Sequence, residues 1–177
     1  ILHISKIRRR FSILFRSAYI CKVLNSTEGE KYVSTDLLFR FQLFNSNESI
    51  FSYKQIRWKN TTKSQNPYFN KRLYFDINYD QIPNSCSLLV KVKFIKLDKN
   101  NQTGKSDTIY WANYRLFDQN NRLKIGLHKI NLHDREISDD IYYSYNDNPN
   151  EETSSKIFFE IENFSFPIIN IEKKLTN

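Results

Sequence analysis

In the run LLFRFQLF, Leu37, Phe39, Phe41 and Leu43 occupy every second position, with Arg40 and Gln42 between them. Successive side chains of a β-strand point to opposite sides, so this alternation buries one face and wets the other only if the segment is extended. The rhythm recurs along the chain. RLYFDINY sets Leu73, Phe75, Ile77 and Tyr79 against Arg72, Tyr74, Asp76 and Asn78. LLVKVKFIK sets Leu88, Val90, Val92 and Phe94 against Lys91 and Lys93, and KIFFEIENF sets Ile157, Phe159 and Ile161 against Lys156, Glu160 and Glu162. Further strands are predicted at Phe11 to Val23, Ser52 to Trp58, Thr108 to Arg115 and Leu123 to Leu132. Eight strands, polar connections such as NSNES and DKNNQTG, and no helix-length amphipathic stretch predict an all-β fold, an eight-stranded antiparallel β-sandwich.

The 177 residues suit one domain, and 14 Phe and 11 Tyr supply its core. A domain of this size buries about 70% of its unfolded surface, enough to stand without staples. Met is absent and the chain starts at Ile1, which predicts a piece of a longer protein. The sandwich is placed at 10–167, with 1–9 and 168–177 as linkers. Cys21 and Cys86 sit in strand-like runs without metal-ligand spacing and read as buried free thiols of a reducing compartment. The Asn-x-Ser/Thr triplets at Asn25, Asn47, Asn60, Asn101 and Asn163 are what an Asn-rich composition produces by chance. No apolar run reaches the ~18 residues of a membrane span, and Arg16 interrupts the apolar stretch behind the basic residues Lys6 to Arg10, so no signal peptide is predicted. A cytoplasmic location follows as the expectation.

Charge is unevenly spread. Residues 134–152 hold Asp134, Glu136, Asp139, Asp140, Asp147, Glu151 and Glu152 against Arg135, a balance of −6 within a net +8, so the remainder carries +14. Such a basic body favours an anionic surface. Lys54, Arg57, Lys59 and Lys63 flank Trp58, but a base-stacking strip wants several aromatics and this one offers a single Trp, so nucleic acid is not expected as a partner. Catalysis is not expected either. With only Gly29, Gly104 and Gly126 the chain has no glycine-rich phosphate loop, and Asp-Phe-Gly and His-Arg-Asp are both absent.

Four patches add a more specific signal. NPYFNKRLYFDINYDQIPNSCSLLVKV, beginning at Asn66, resembles the C2 domain of phosphatidylinositol 3-kinases through Asn66, Pro67, Phe69, Leu73, Phe75, Asp76, Ile77, Ile82 and Pro83, with Phe69 where the family usually has Trp. YWANYRLFD is similar to the family's Trp-Gly-Asn-x-x-Leu-Phe-Asp segment through Trp111, Asn113, Leu116, Phe117 and Asp118, Ala112 replacing Gly. GLHKINLH matches a strand that ends in Asn-Leu-Trp, with His133 in place of Trp, and NPNEETSSKIFFEIENF resembles the Asn-Pro-Asn-x-Glu-Thr approach to the last strand of class I members. The same residues also read as plain scaffold: Leu73, Phe75, Trp111 and Phe117 as core, Asn66-Pro67 and Asn148-Pro149 as turns.

The resemblance implies a non-catalytic C2 domain of a lipid kinase that phosphorylates the 3-hydroxyl of phosphoinositides, with ATP and Mg bound by a separate kinase domain and no cofactor here. Calcium needs six to eight oxygen ligands; NSNES offers Glu48, the later loop offers Asp118, and Asp139-Asp140 lie in another connection, so no metal site is predicted. His128 and His133 lack ligand partners at metal spacing. The connection KLDKNNQTGKSD puts Lys96, Lys99 and Lys105 in one loop, a predicted contact with anionic phospholipid and so with peripheral membrane recruitment. By resemblance, other domains of the same kinase and a regulatory subunit are further partners, the latter sought at the first strand, where Cys21 and Lys22 stand. Two rivals remain: a protein-interaction sandwich without a lipid role, and a calcium-dependent lipid-binding C2 domain.

Overall fold

The computed structural model describes residues 10–20, 32–45, 48–49, 53–59, 66–98, 103–133 and 155–162. Their strands are β1 (Arg10–Tyr19), β2 (Tyr32–Asn45), β3 (Glu48–Ser49), β4 (Lys54–Trp58), β5 (Tyr68–Asn78), β6 (Cys86–Asp98), β7 (Thr103–Arg115), β8 (Gly126–Asn131) and β9 (Lys156–Ile161). They form two antiparallel sheets. Sheet one runs β5-β1-β9-β8; sheet two runs β3-β2-β6-β7, with β4 also on β2. Because β3 pairs with Phe44 and Asn45 while β4 pairs with Leu37 to Phe41, the two lie along one edge of β2 as a single interrupted strand. Counted so, the protein is the expected eight-stranded β-sandwich, four strands to a sheet.

The alternating rows point where their spacing demands. Leu37, Phe39, Phe41 and Leu43 on β2, Leu88, Val90, Val92 and Phe94 on β6, Leu73, Phe75 and Ile77 on β5, and Ile157, Phe159 and Ile161 on β9 are all buried in one core between the sheets. Aromatic rings lock the layers together. Phe15 of β1 lies 5.3 Å from Phe39, 4.9 Å from Phe41 and 4.5 Å from Phe69, centroid to centroid. Such pairs add about 0.5–1.5 kcal/mol each beyond the area they bury. Phe69 thus fills, with its smaller ring, the place expected for Trp.

Strand β1 departs from simple alternation. Its inward row runs Phe11, Ile13, Phe15 and then Ala18 and Ile20, because pairing with both neighbours shifts between Phe15 and Ser17. A bulge inserts an extra residue and so changes which face the following side chains occupy. The outward Arg16 closes this irregularity. It donates to Asn70 Oδ1 (2.6 Å), a residue at φ 46°, and to Glu160 Oε2 (2.5 Å).

Two predicted boundaries move. The strand expected from Thr108 begins at Thr103, since the β6–β7 ladder continues to the pair Leu97 and Thr103. Backbone hydrogen bonds hold that extension, and they are indifferent to the polar side chains that suggested a loop. The strand expected from Leu123 begins at Gly126. Residues before it form a tight turn in which Asp118 Oδ1 accepts from the N–H groups of Asn120 and Arg122, both at 2.8 Å, and Asn121 takes φ 57°. At its C-terminal end β8 hands the chain from sheet one to sheet two: Asn131 still pairs with Lys156, while His133 exchanges two backbone hydrogen bonds with Trp111 of β7 (3.0 and 2.7 Å).

Candidate functional site

The residues that carried the family resemblance are placed as scaffold. Leu73, Phe75, Ile77, Ile82, Leu116 and Phe117 belong to the main core, and Trp111 joins Phe44 and Leu89 in a second buried cluster. The Pro67 carbonyl accepts from Ala18 N–H (3.0 Å), so the Asn66-Pro67 turn ties β5 to β1 just past the bulge. His133, at the position of the resemblance's Trp, lies beside Trp111 with ring centroids 4.7 Å apart and planes tilted by 38°. Asp118, weighed as a calcium ligand, spends its carboxylate on its own turn.

The predicted membrane lysines do not share a loop. Lys96 is on β6, opposite Thr35 of β2, and Lys105 is on β7, so both belong to the strands of the β6–β7 hairpin. Lys99 lies outside the described residues, as do the predicted partner contacts Cys21 and Lys22. The loop expectation is corrected to a hairpin by the same ladder extension that moved the start of β7. The acidic stretch 134–152 also falls outside the described residues.

The described titratable groups offer little reactivity. Burial pushes the free thiol of Cys86 up to about 12, which keeps it a protonated core side chain at neutral pH. His128 is engaged at both ring nitrogens. Its Nε2–H donates to the Lys124 carbonyl (2.9 Å), which leaves Nδ1 to accept from the Tyr114 hydroxyl (2.8 Å). Burial lowers the His128 pKa below 6.5 and raises that of Tyr114 to about 12, so the neutral pair is stable. Among the described residues no three His, Cys, Asp or Glu side chains gather as a metal site, and no helix is long and apolar enough to cross a membrane.

Ion pairs form on both outer faces, and Lys71, Lys129 and Lys156 of sheet one form none with a described carboxylate. On and beside sheet one, Arg16 meets Glu160, Arg72 meets Glu162, and Asp76 receives both Arg10 (3.8 Å) and Lys54 (3.0 Å). On sheet two Arg57 holds Asp36 at 2.7 Å, while Arg40, Lys91 and Lys93 form no ion pair with a described carboxylate. Strand alternation alone puts these three on the wetted face of β2 and β6. Their neighbourhood depends on the β2–β6 register, which single-strand alternation does not carry.

Comparison with known proteins agrees with this architecture. Residues 33–167 match the family model described as phosphoinositide 3-kinase C2. No curated protein matches the chain. The sandwich also takes in β1, N-terminal to the matched residues, whose Phe11, Ile13 and Phe15 are wholly buried against β5 and β9. With a matching stretch that covers most of the chain and supplies most of the two-sheet core, this protein belongs to the phosphoinositide 3-kinase C2 family.

Proposed function

We propose that this C2 domain orients a phosphatidylinositol 3-kinase, of class I type, at anionic membranes without calcium, and packs against other domains of that kinase and a regulatory subunit. The observation that carries the membrane part is the β6–β7 hairpin, which brings Lys96 and Lys105 onto adjoining strands of a chain with net charge +8. Lys99 stands between them in sequence. Each basic residue close to an anionic leaflet contributes about 1 kcal/mol, so three lysines contribute roughly 3 kcal/mol, about a hundredfold in affinity. That suffices for orientation, not for recruitment, and becomes useful where other domains of one polypeptide already hold the kinase near lipid. The class I assignment rests on the Asn-Pro-Asn-x-Glu-Thr resemblance at Asn148 to Thr153. The regulatory contact is placed at Cys21 and Lys22.

Vesicle sedimentation tests the membrane reading. The domain is expected to bind phosphatidylserine-containing vesicles, to release them as salt rises, and to be unaffected by calcium chelation. Triple replacement Lys96→Gln, Lys99→Gln, Lys105→Gln should abolish the difference between anionic and neutral vesicles. Equal sedimentation of wild type with both lipids refutes the proposal, and so does a calcium requirement. For the partner surface, an unchanged regulatory-subunit affinity in Lys22→Glu removes that strand from the contact.

A further inference from the structure

The outward rows of sheet one are not wholly polar. Register places Leu14 of β1 between Arg72 of β5 and Glu160 of β9, and Glu160 beside Leu127 of β8. One step along, Phe158 of β9 lies between Ser17 and Lys129. Leu14 and Phe158 are half-buried, while Leu127 and Ile125, just ahead of β8, stand 66% and 48% exposed. The arginines of this face are committed, Arg16 to Glu160 and Arg72, across β1, to Glu162. Because Ile13 pairs with Ile161, Ser12 and Glu162 are outward neighbours, and Ser12 Oγ and Glu162 Oε2 are both shut off from solvent without a partner. Buried polar atoms are nearly always paired. Glu162 is also the last described residue, and the 15 residues 163–177 follow it from this corner of the face. In them Phe164, Phe166 and Ile168 alternate with Ser165 and Pro167, which gives an extended segment one apolar side.

We propose that the outer face of sheet one is the seat of the chain's own C-terminal segment, with Phe164, Phe166 and Ile168 lying on Leu14, Phe158, Leu127 and Ile125. The reach is sufficient. Phe164 to Ile168 span roughly 13 Å when extended, and four strands are about 14 Å across. Pro167 has no N–H to give to a ladder, so the segment crosses the face as a strap instead of adding to an edge as a further strand. Its peptide groups pass the corner where Ser12 Oγ and Glu162 Oε2 want partners. Other occupants fit less well. An anionic leaflet would meet Glu160 and Glu162 on the face, and a second copy of this chain would set Lys129 and Lys156 of two molecules of net charge +8 against each other. The strap fixes the direction in which the polypeptide leaves the sandwich. It uses neither sheet two nor the β6–β7 hairpin, so it and the proposed membrane contact fail separately.

Nuclear magnetic resonance of the full 177-residue chain tests it. Nuclear Overhauser contacts are expected between the rings of Phe164 and Phe166 and the methyl groups of Ile125 and Leu127. Amide exchange at Ser165, Phe166 and Ile168 should be slowed about tenfold or more against an open chain. In Phe164→Ser/Phe166→Ser the methyl signals of Leu14, Ile125 and Leu127 should move, while those of Leu38, outward on sheet two, stay in place. Ile125→Asn/Leu127→Asn alters only exposed positions, so the sandwich still folds, and it should return the three amides to the exchange rate of an open chain. Protection that survives Ile125→Asn/Leu127→Asn would show the segment held elsewhere and overturn the strap, as would absence of the ring-to-methyl contacts in wild type. Sedimentation velocity settles the second copy. A monomer that shows the contacts supports the strap, and contacts present only in a dimer overturn it.

Discussion

Removing Arg57 should cost more than removing the carboxylate it serves. Asp36 of β2 is only 2% exposed, whereas the Arg57 side chain on β4 is 41% exposed, and Nε donates to Oδ2 across 2.7 Å. Deleting one member of a fully buried pair costs about 3–5 kcal/mol, because the other charge stays in a poor solvent. Water reaches this pair from the arginine side, which screens it and brings the loss toward that of one charge-assisted hydrogen bond, about 1.5–3 kcal/mol. Arg57→Met should therefore destabilise the domain by about 2 kcal/mol, roughly thirtyfold in the folding equilibrium. Asp36→Val behaves differently: the freed guanidinium can turn to solvent, and Val suits a strand, so the loss should stay within about 0.5 kcal/mol. The double variant should match Asp36→Val alone, which yields a coupling of about 2 kcal/mol. Urea unfolding at pH 7, followed by the fluorescence of Trp58 and Trp111, measures all four corners. Equal losses in the two single variants, or strict additivity in the double, would show that burial of Asp36 does not govern the pair.

Two further expectations concern pH and backbone. The His128 pKa in the folded protein lies below its unfolded value of 6.5, so its contribution is complete above pH 6.5 and is lost as pH falls through the window down to the folded pKa, where the unfolded chain binds the proton first. Wild type should lose more stability between pH 7.5 and pH 5 than His128→Gln, and identical pH profiles in urea unfolding would contradict this. Gly126 sits at φ 105° with open space where a Cβ would stand, so Gly126→Ala should cost about 1–2 kcal/mol through backbone conformation alone; a melting temperature unchanged from wild type would count against that.

How far the fold could be read in advance depended on phase. Leu37 to Leu43, Leu73 to Ile77, Leu88 to Phe94 and Ile157 to Ile161 keep a strict two-residue rhythm, and each row is buried as that rhythm requires. In β1 the rhythm breaks at Arg16 and Ser17, and only pairing with β5 and β9 shows that a bulge returns Ala18 and Ile20 to the core. Thr103 to Asp107 carry no apolar alternation at all, and their strand is set by the ladder with β6. The lysines chosen for the membrane were recognisable as a cluster in sequence because they are close in sequence. Arg40 and Lys91, 51 positions apart along the chain, become neighbours only through register.

This difference separates what the family resemblance explains from what it leaves open. The residues that carry it, Phe69, Leu73, Phe75, Trp111 and Phe117 among them, pack into the interior or against it, and conservative changes there should be felt in unfolding rather than in binding. Outward positions follow another logic. On sheet one Arg16 and Arg72 meet Glu160 and Glu162, whereas on sheet two Arg40, Lys91 and Lys93 stand half-buried side by side without an ion pair to a described carboxylate. Since the buried rows hold the backbone of both sheets in one register, a charge at Arg40 or Lys91 can be changed without moving its neighbours. Loss of binding without loss of stability is therefore the signature that distinguishes a working surface of this sandwich from its scaffold.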